Sequence, residues 1–138
     1  MRPWLRSLPL LLAVAIAGCG QAATSASDFK GAKQDVADTI EELQTAAQNR
    51  KPADICSEVL GRGLVEKLKT ADHDCVDEME KVTNDADDFE LDVTDVTVSG
   101  ATATARVKAR KGGKSNAVTS YKLAREDGKW RLTDFGTG

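Results

Sequence analysis

From residue 27 onward the apolar positions follow first the period of a helix and then that of a strand, and the change between them divides the chain. Phe29, Ala32, Val36, Ile40, Leu43 and Ala47 recur at steps of three and four, with Lys33, Asp35, Asp38, Glu41, Glu42 and Gln48 mostly between them. That spacing predicts an amphipathic helix of about five to six turns, capped by Ser27 or Asp28, with its apolar stripe packed on the protein's own core. Asn49-Arg50-Lys51 ends it. Pro52 suits the first turn of a second helix, where a missing N–H costs no intrahelical bond. Residues 52–60 carry Ile55, Cys56, Val59 and Leu60, and Gly61 and Gly63 interrupt them. Leu64, Val65 and Leu68 predict another short helix, and residues 75–82 a further one with Met79 and Val82 facing inward. Helices this short are unstable alone, so tertiary contacts must hold them.

From Phe89 the period becomes two, the mark of strands. Phe89, Leu91 and Val93 alternate with Glu90 and Asp92, and the apolar set then slips to Val96 and Val98. One extra residue near Thr94 or Asp95, a β-bulge, restores a single apolar face. Ala101, Ala103, Ala105, Val107 and Ala109 alternate with Thr102, Thr104, Arg106, Lys108 and Arg110 in the next strand. A turn at Ser99-Gly100 places Val98 opposite Ala101, Val96 opposite Ala103, Val93 opposite Ala105, Leu91 opposite Val107 and Phe89 opposite Ala109. The same register sets Asp92 against Arg106, Glu90 against Lys108 and Asp88 against Arg110 on the outer face. Two further strands, 117–125 and 129–135, flank Asp127-Gly128, a strong hairpin signal. Helices first and strands after define an α+β domain, its N-terminal helices packed on a four-stranded antiparallel meander. Trp130 and Leu132 share a face, and Trp130 is expected to anchor the core.

Ahead of this domain, Arg2 and Arg6 precede an apolar stretch from Leu8 to Ile16. The stretch is too short to span a bilayer as a helix and ends in small residues, which reads as a secretory signal. Ile16-Ala17-Gly18-Cys19 resembles the lipobox of bacterial lipoproteins. The resemblance implies that residues 1–18 are removed and that Cys19, the new first residue, carries lipid. Residues 19–27 then form a lipidated tether of small, polar residues. The eight after the cysteine span at most about 28 Å, and residues 28–138 make one domain. The implied location is the cell membrane, lipid-anchored on the extracytoplasmic face. Several acyl chains hold a domain there stably, whereas one binds only marginally.

The anchor also resolves the cysteine count. Of three cysteines, lipidation of Cys19 leaves Cys56 and Cys75 as one pair, and export makes a disulfide its default state. Closing a loop of about 20 residues stabilises a fold by about 3 kcal/mol. The competing reading is a metal site of Cys56, Cys75, His73, Asp72 and Asp74, although no ligand spacing matches a known zinc pattern. His73, the only histidine, falls in a loop, where a histidine is usually solvated. Losing Arg2 and Arg6 takes the basic side chains from 19 to 17 against 22 acidic ones, and the net charge from −3 to about −5. That balance gives no sign of a nucleic-acid partner.

A long helix, shorter helices and a sheet ending in Asp127-Gly128-Lys129-Trp130-Arg131-Leu132 resemble the nuclear transport factor 2-like cone over about residues 28–135. Actinobacterial lipoproteins of this arrangement carry a cysteine pair of similar spacing. The strand usually found between the helices of the cone is not evident. The resemblance implies a fold, not an activity. In cone-fold isomerases a buried carboxylate or histidine acts as base while a tyrosine or protonated acid steadies the oxyanion. Inward strand positions here are Ala, Val, Leu and Phe, which leaves Tyr121 and Asp134 as expected direct neighbours across the Asp127-Gly128 hairpin, with Trp130 beside them, as a candidate pocket. A bond that merely satisfies the tyrosine hydroxyl is the competing reading.

The sequence assigns no catalytic residue, cofactor, metal or oligomeric state. It points to a non-catalytic binding or accessory module for a small apolar ligand or an envelope protein. The alternative is an isomerase- or dehydratase-like enzyme acting on a small apolar substrate. Alanines lining the second strand leave room for a pocket or let a helix lie close. Arg110, Lys111 and Lys114 around Gly112-Gly113 are candidate contacts for anionic headgroups or cell-wall polymer, partly neutralised by Asp88 and Glu90.

Overall fold

A computed structural model describes residues 26–136. The leader, the lipobox at Cys19 and most of the tether lie outside the described residues. A 3₁₀ turn at Ala26–Asp28 leads into α1 (Ala32–Gln48). One helical turn, α2 (Pro52–Asp54), widens into a π-helical turn at Ile55–Val59, and α3 (Arg62–Thr70) and α4 (Cys75–Thr83) complete the helices. The strands β1 (Phe89–Ser99), β2 (Thr102–Lys111), β3 (Lys114–Glu126) and β4 (Lys129–Asp134) pair antiparallel in sequence order.

Helix α1 buries Val36, Ala37, Thr39, Ile40, Leu43, Ala46 and Ala47, so the predicted stripe holds from Val36 to Ala47, whereas Ala32 is exposed and Phe29 precedes the helix, partly buried. It starts at Ala32 rather than beside Ser27 or Asp28, because Gly31 takes the left-handed φ of 61° and the chain changes direction there. Ala26, expected in the tether, is buried, and its N–H donates to Glu41 Oε1 at 2.5 Å. Two helices end in the same way. The N–H of Lys51 donates to Ala46 O at 2.9 Å and that of Arg50 to Ala47 O at 3.1 Å, with Arg50 at φ 53°. At the end of α3, His73 N–H donates to Leu68 O and Asp72 N–H to Lys69 O, with Asp72 at φ 57°. Both are Schellman closures with a charged residue where glycine is usual.

The π-helical turn sends Ile55 and Val59 into the core, both fully buried. Leu60 then bridges Leu132 in parallel, and Gly61 N–H donates to Leu132 O at 2.7 Å. A Cβ on Gly61 would stand 3.1 Å from that oxygen, so glycine permits the approach that covers part of the β4 edge. Asp74 caps α4, its Oδ1 accepting from Val76 N–H at 2.9 Å and Asp77 N–H at 3.2 Å. Cys75 and Thr83 are buried in α4 and Met79 partly so, whereas Val82 is 57% exposed. The inward stripe of α4 runs through Cys75 and its i+4 and i+8 neighbours, and Val82 falls outside it.

The sheet's inner face carries Leu91, Val93, Val96, Ala103, Ala105, Val107, Leu123, Trp130 and Leu132, all buried. Ala103 and Ala105 are buried in this core, and Trp130 anchors it as expected. The bulge lies at Thr94, between the pairs Val93↔Val107 and Asp95↔Arg106. The hairpin register differs from the predicted one by two residues. The turn is Gly100-Ala101, Ser99 pairs with Thr102, and Val98, Val96, Val93, Leu91 and Phe89 face Ala103, Ala105, Val107, Ala109 and Lys111. Gly100, at φ 59°, occupies the first turn position, where a two-residue hairpin of type II′ requires positive φ. The slip moves Asp92 opposite Lys108 and Glu90 opposite Arg110. Two further bulges, near Ala109 and at Thr133, interrupt β2–β3 and β3–β4.

Candidate functional site

The bulge at Thr133 separates the pair expected to form a pocket. Asp134 faces Lys122 instead of Tyr121 and is exposed, its Oδ1 accepting from Gly136 N–H at 2.8 Å. Tyr121, on the inner face of β3, is partly buried and packs edge-on against Phe135, with ring centroids 5.5 Å apart. Burial pushes its hydroxyl above the usual tyrosine pKa. Trp130 is 5% exposed, and its Nε1 has no hydrogen-bond partner among the described residues. Tyr121, Asp134 and Trp130 therefore do not converge.

Trp130 borders a groove of about 260 Å³ with Asp35, Asp38, Glu42, Glu58, Arg125 and Lys129. Internal cations already occupy it. The Arg125 guanidinium lies 5.2 Å from the Trp130 ring centroid and 3.9 Å from Asp35, and Lys129 lies 3.2 Å from Glu58. Asp38 has its pKa raised by partial burial, with Glu41 and Asp35 adding repulsion.

Cys56 and Cys75 form the disulfide, their Cα atoms 6.1 Å apart, tying the π-helical turn to the first residue of α4. With both sulfurs bonded to each other, neither is available to the alternative metal site. His73 is 54% exposed in its side chain, with Nδ1 3.0 Å from Glu78 Oε1. Cys56 borders a second groove, about 450 Å³, with Leu60, Arg62, Val65, Glu126 and Arg131. Arg62 pairs there with Asp127 at 2.5 Å and with Glu126 at 3.7 Å, and Arg131 Nη1 donates to Ser57 O.

The basic hairpin end is partly neutralised, by Glu90 as expected, and by Asp92 and Asp85 in place of Asp88. Arg110 Nη2 lies 2.7 Å from Asp92 Oδ2, a contact of opposite charges without hydrogen-bond alignment, and Nη1 lies 3.9 Å from Glu90. Asp92, expected on the solvent side, is 7% exposed under this contact. Lys111 approaches Asp85 at 3.9 Å. Asp88 instead lines, with Asp87, Glu90 and Arg110, a groove of about 490 Å³ between the end of α1 and the Gly112-Gly113 turn. Lys114 is exposed and makes no ion pair among the described residues.

Sequence reasoning missed a second basic cluster. Arg106 and Lys108, predicted to pair with Asp92 and Glu90, form no ion pair among the described residues, and neither does Lys122 on the adjacent strand. Register alone hid them, because the signal was present in the alternation of β2.

Among the described residues no helix is long and apolar enough to cross a membrane, and no group of three or more His, Cys, Asp or Glu side chains is placed to hold a metal ion. No curated protein and no solved structure matches the chain. The family described as low molecular weight antigen MTB12, C-terminal domain, matches residues 62–135, from the start of α3 through the whole sheet. The match spans more than half of the sequence, and the chain belongs to that family.

Proposed function

We propose that the protein is an extracytoplasmic lipoprotein, held to the membrane by lipid on Cys19, whose cone-like domain is a non-catalytic binding or accessory module. The Cys56–Cys75 disulfide carries this reading, because it uses two of the three cysteines and leaves Cys19 outside the pair, at the end of a lipobox-like run behind an export signal. A disulfide in a small domain fits an oxidising compartment. The separation of Tyr121 from Asp134, and the internal ion pairs across the groove beside Trp130, support a role without chemistry. An isomerase-like activity would need an acid and a base aimed into one apolar pocket. Membrane fractionation of cells expressing the full chain and its Cys19→Ala variant tests the anchor. The native protein is expected in the membrane fraction with its leader removed, and the variant with its leader uncut. Equal processing and equal partition of the two would overturn the reading.

A further inference from the structure

The sheet has one face covered by helix and one open, and the open face carries cations. Arg106 and Lys108 stand two apart on β2, so both point outward; Lys122 on β3 pairs with Thr104, diagonal to Arg106. Ser120 faces Arg106 and the 40%-exposed Val118 faces Lys108. Arg106, Lys122 and Ser120 are exposed and Lys108 is half-buried. Asp95, opposite Arg106, makes no ion pair with it, and the Asp92 carboxylate opposite Lys108 is taken by Arg110. Three cations thus share one face of the sheet, with the hydroxyls of Thr104 and Ser120 between them. The other side of the molecule is the reverse, where α1 exposes Asp35, Asp38 and Glu42.

We infer that this open face, through Arg106, Lys108 and Lys122, docks on the anionic phosphates of the membrane surface. The inference rests on the proposed anchor, which would keep the domain within a short tether of that surface at high effective concentration. Charge complementarity selects the occupant. Unpaired cations on an otherwise acidic chain gain from an anionic surface, whereas the acidic α1 ridge is repelled and turns away. The three cations are spread over two neighbouring strands of one sheet face, which suits an extended array of charges better than a single enclosed anion. Each Lys or Arg near an anionic leaflet is worth roughly fivefold in binding at low salt. Such a contribution would orient a domain already anchored rather than recruit it unaided.

The test uses the lipidated protein reconstituted with vesicles of pure phosphatidylcholine or of phosphatidylcholine with phosphatidylglycerol, probed with an amine-reactive label and read by peptide mass spectrometry. Lys108 and Lys122 should label severalfold more slowly on the anionic vesicles, with Lys69 on α3 unchanged. High salt should erase the difference, and Arg106→Gln should reduce it. Flotation with both vesicles but equal labelling of Lys108 and Lys122 would overturn the face while leaving the anchor standing. Flotation with neither vesicle would overturn both. Protection by soluble heparin equal to that by anionic vesicles would reassign the face to a polymer and overturn the lipid assignment.

Discussion

The molecule has two halves that hold together by different means. In α1 and the sheet, apolar side chains from opposed faces interlock, with Val36, Ile40, Leu123 and Leu132 almost wholly buried. From α3 to α4 burial is sparse. Helix α3 buries no residue and α4 only Cys75 and Thr83. That half is secured by the Cys56–Cys75 disulfide, by the Asp74 cap and by surface pairs such as Lys81 with Glu78 at 2.6 Å. A small domain can thus extend beyond what its core supports when a covalent link replaces missing burial. The polar closures there, Asp72 in a left-handed conformation and Asp74 as cap, shape the helices without supplying much burial.

If the halves differ as described, truncating the core should cost most. Leu132→Ala or Ile40→Ala is expected to destabilise by about 3 to 4 kcal/mol in urea unfolding, with little relief from relaxation. Removing the link with Cys56→Ser and Cys75→Ser together should cost about 3 kcal/mol. Its hydrogen-exchange pattern sharpens the comparison, because protection should fall more over residues 55–83 than in α1 or β2. A uniform loss would mean that the halves unfold as one unit. Asp74→Ala should cost about 1 kcal/mol and raise exchange at the first turn of α4.

Acid should have the smallest effect, and it should fall on the same half. Glu78 has its pKa lowered, first by the hydrogen bond from Lys81 and then by the bond to His73, with the charges of both adding to the shift. A carboxylate whose pKa is depressed by folding contributes stability above its unfolded value of 4.5, and that contribution is lost as pH falls through the folded value. Exchange in α4 should therefore quicken in this window, and Glu78→Gln should remove the response.

Much of this was legible because burial depends on period. The alternation of β2 and the slip from Val93 to Val96 located the inner face and the bulge at Thr94. Sliding the first hairpin by two residues, from a Ser99-Gly100 turn to Gly100-Ala101, changes no side chain's face. Every cross-strand partner does change, so the core survived the slip and the ion pairs did not. Arg106 and Lys108 lost their predicted acids, and the basic face became visible only with the true register. Asp134 escaped Tyr121 through a bulge at Thr133. Thr133 sits between Leu132 and Asp134 in a short strand, where alternation carries no break to mark the extra residue. Val82 misled because a nine-residue helix has too few apolar positions to fix its rotation, and the buried side instead runs through Cys75 and Thr83.

The functional account turns on Cys19, and intact mass spectrometry of the protein extracted from its own membrane tests it most directly. The expected species begins at Cys19, carries acyl chains on that residue and retains the Cys56–Cys75 disulfide. A polypeptide that keeps residues 1–18, or that starts at Cys19 without lipid, would contradict it.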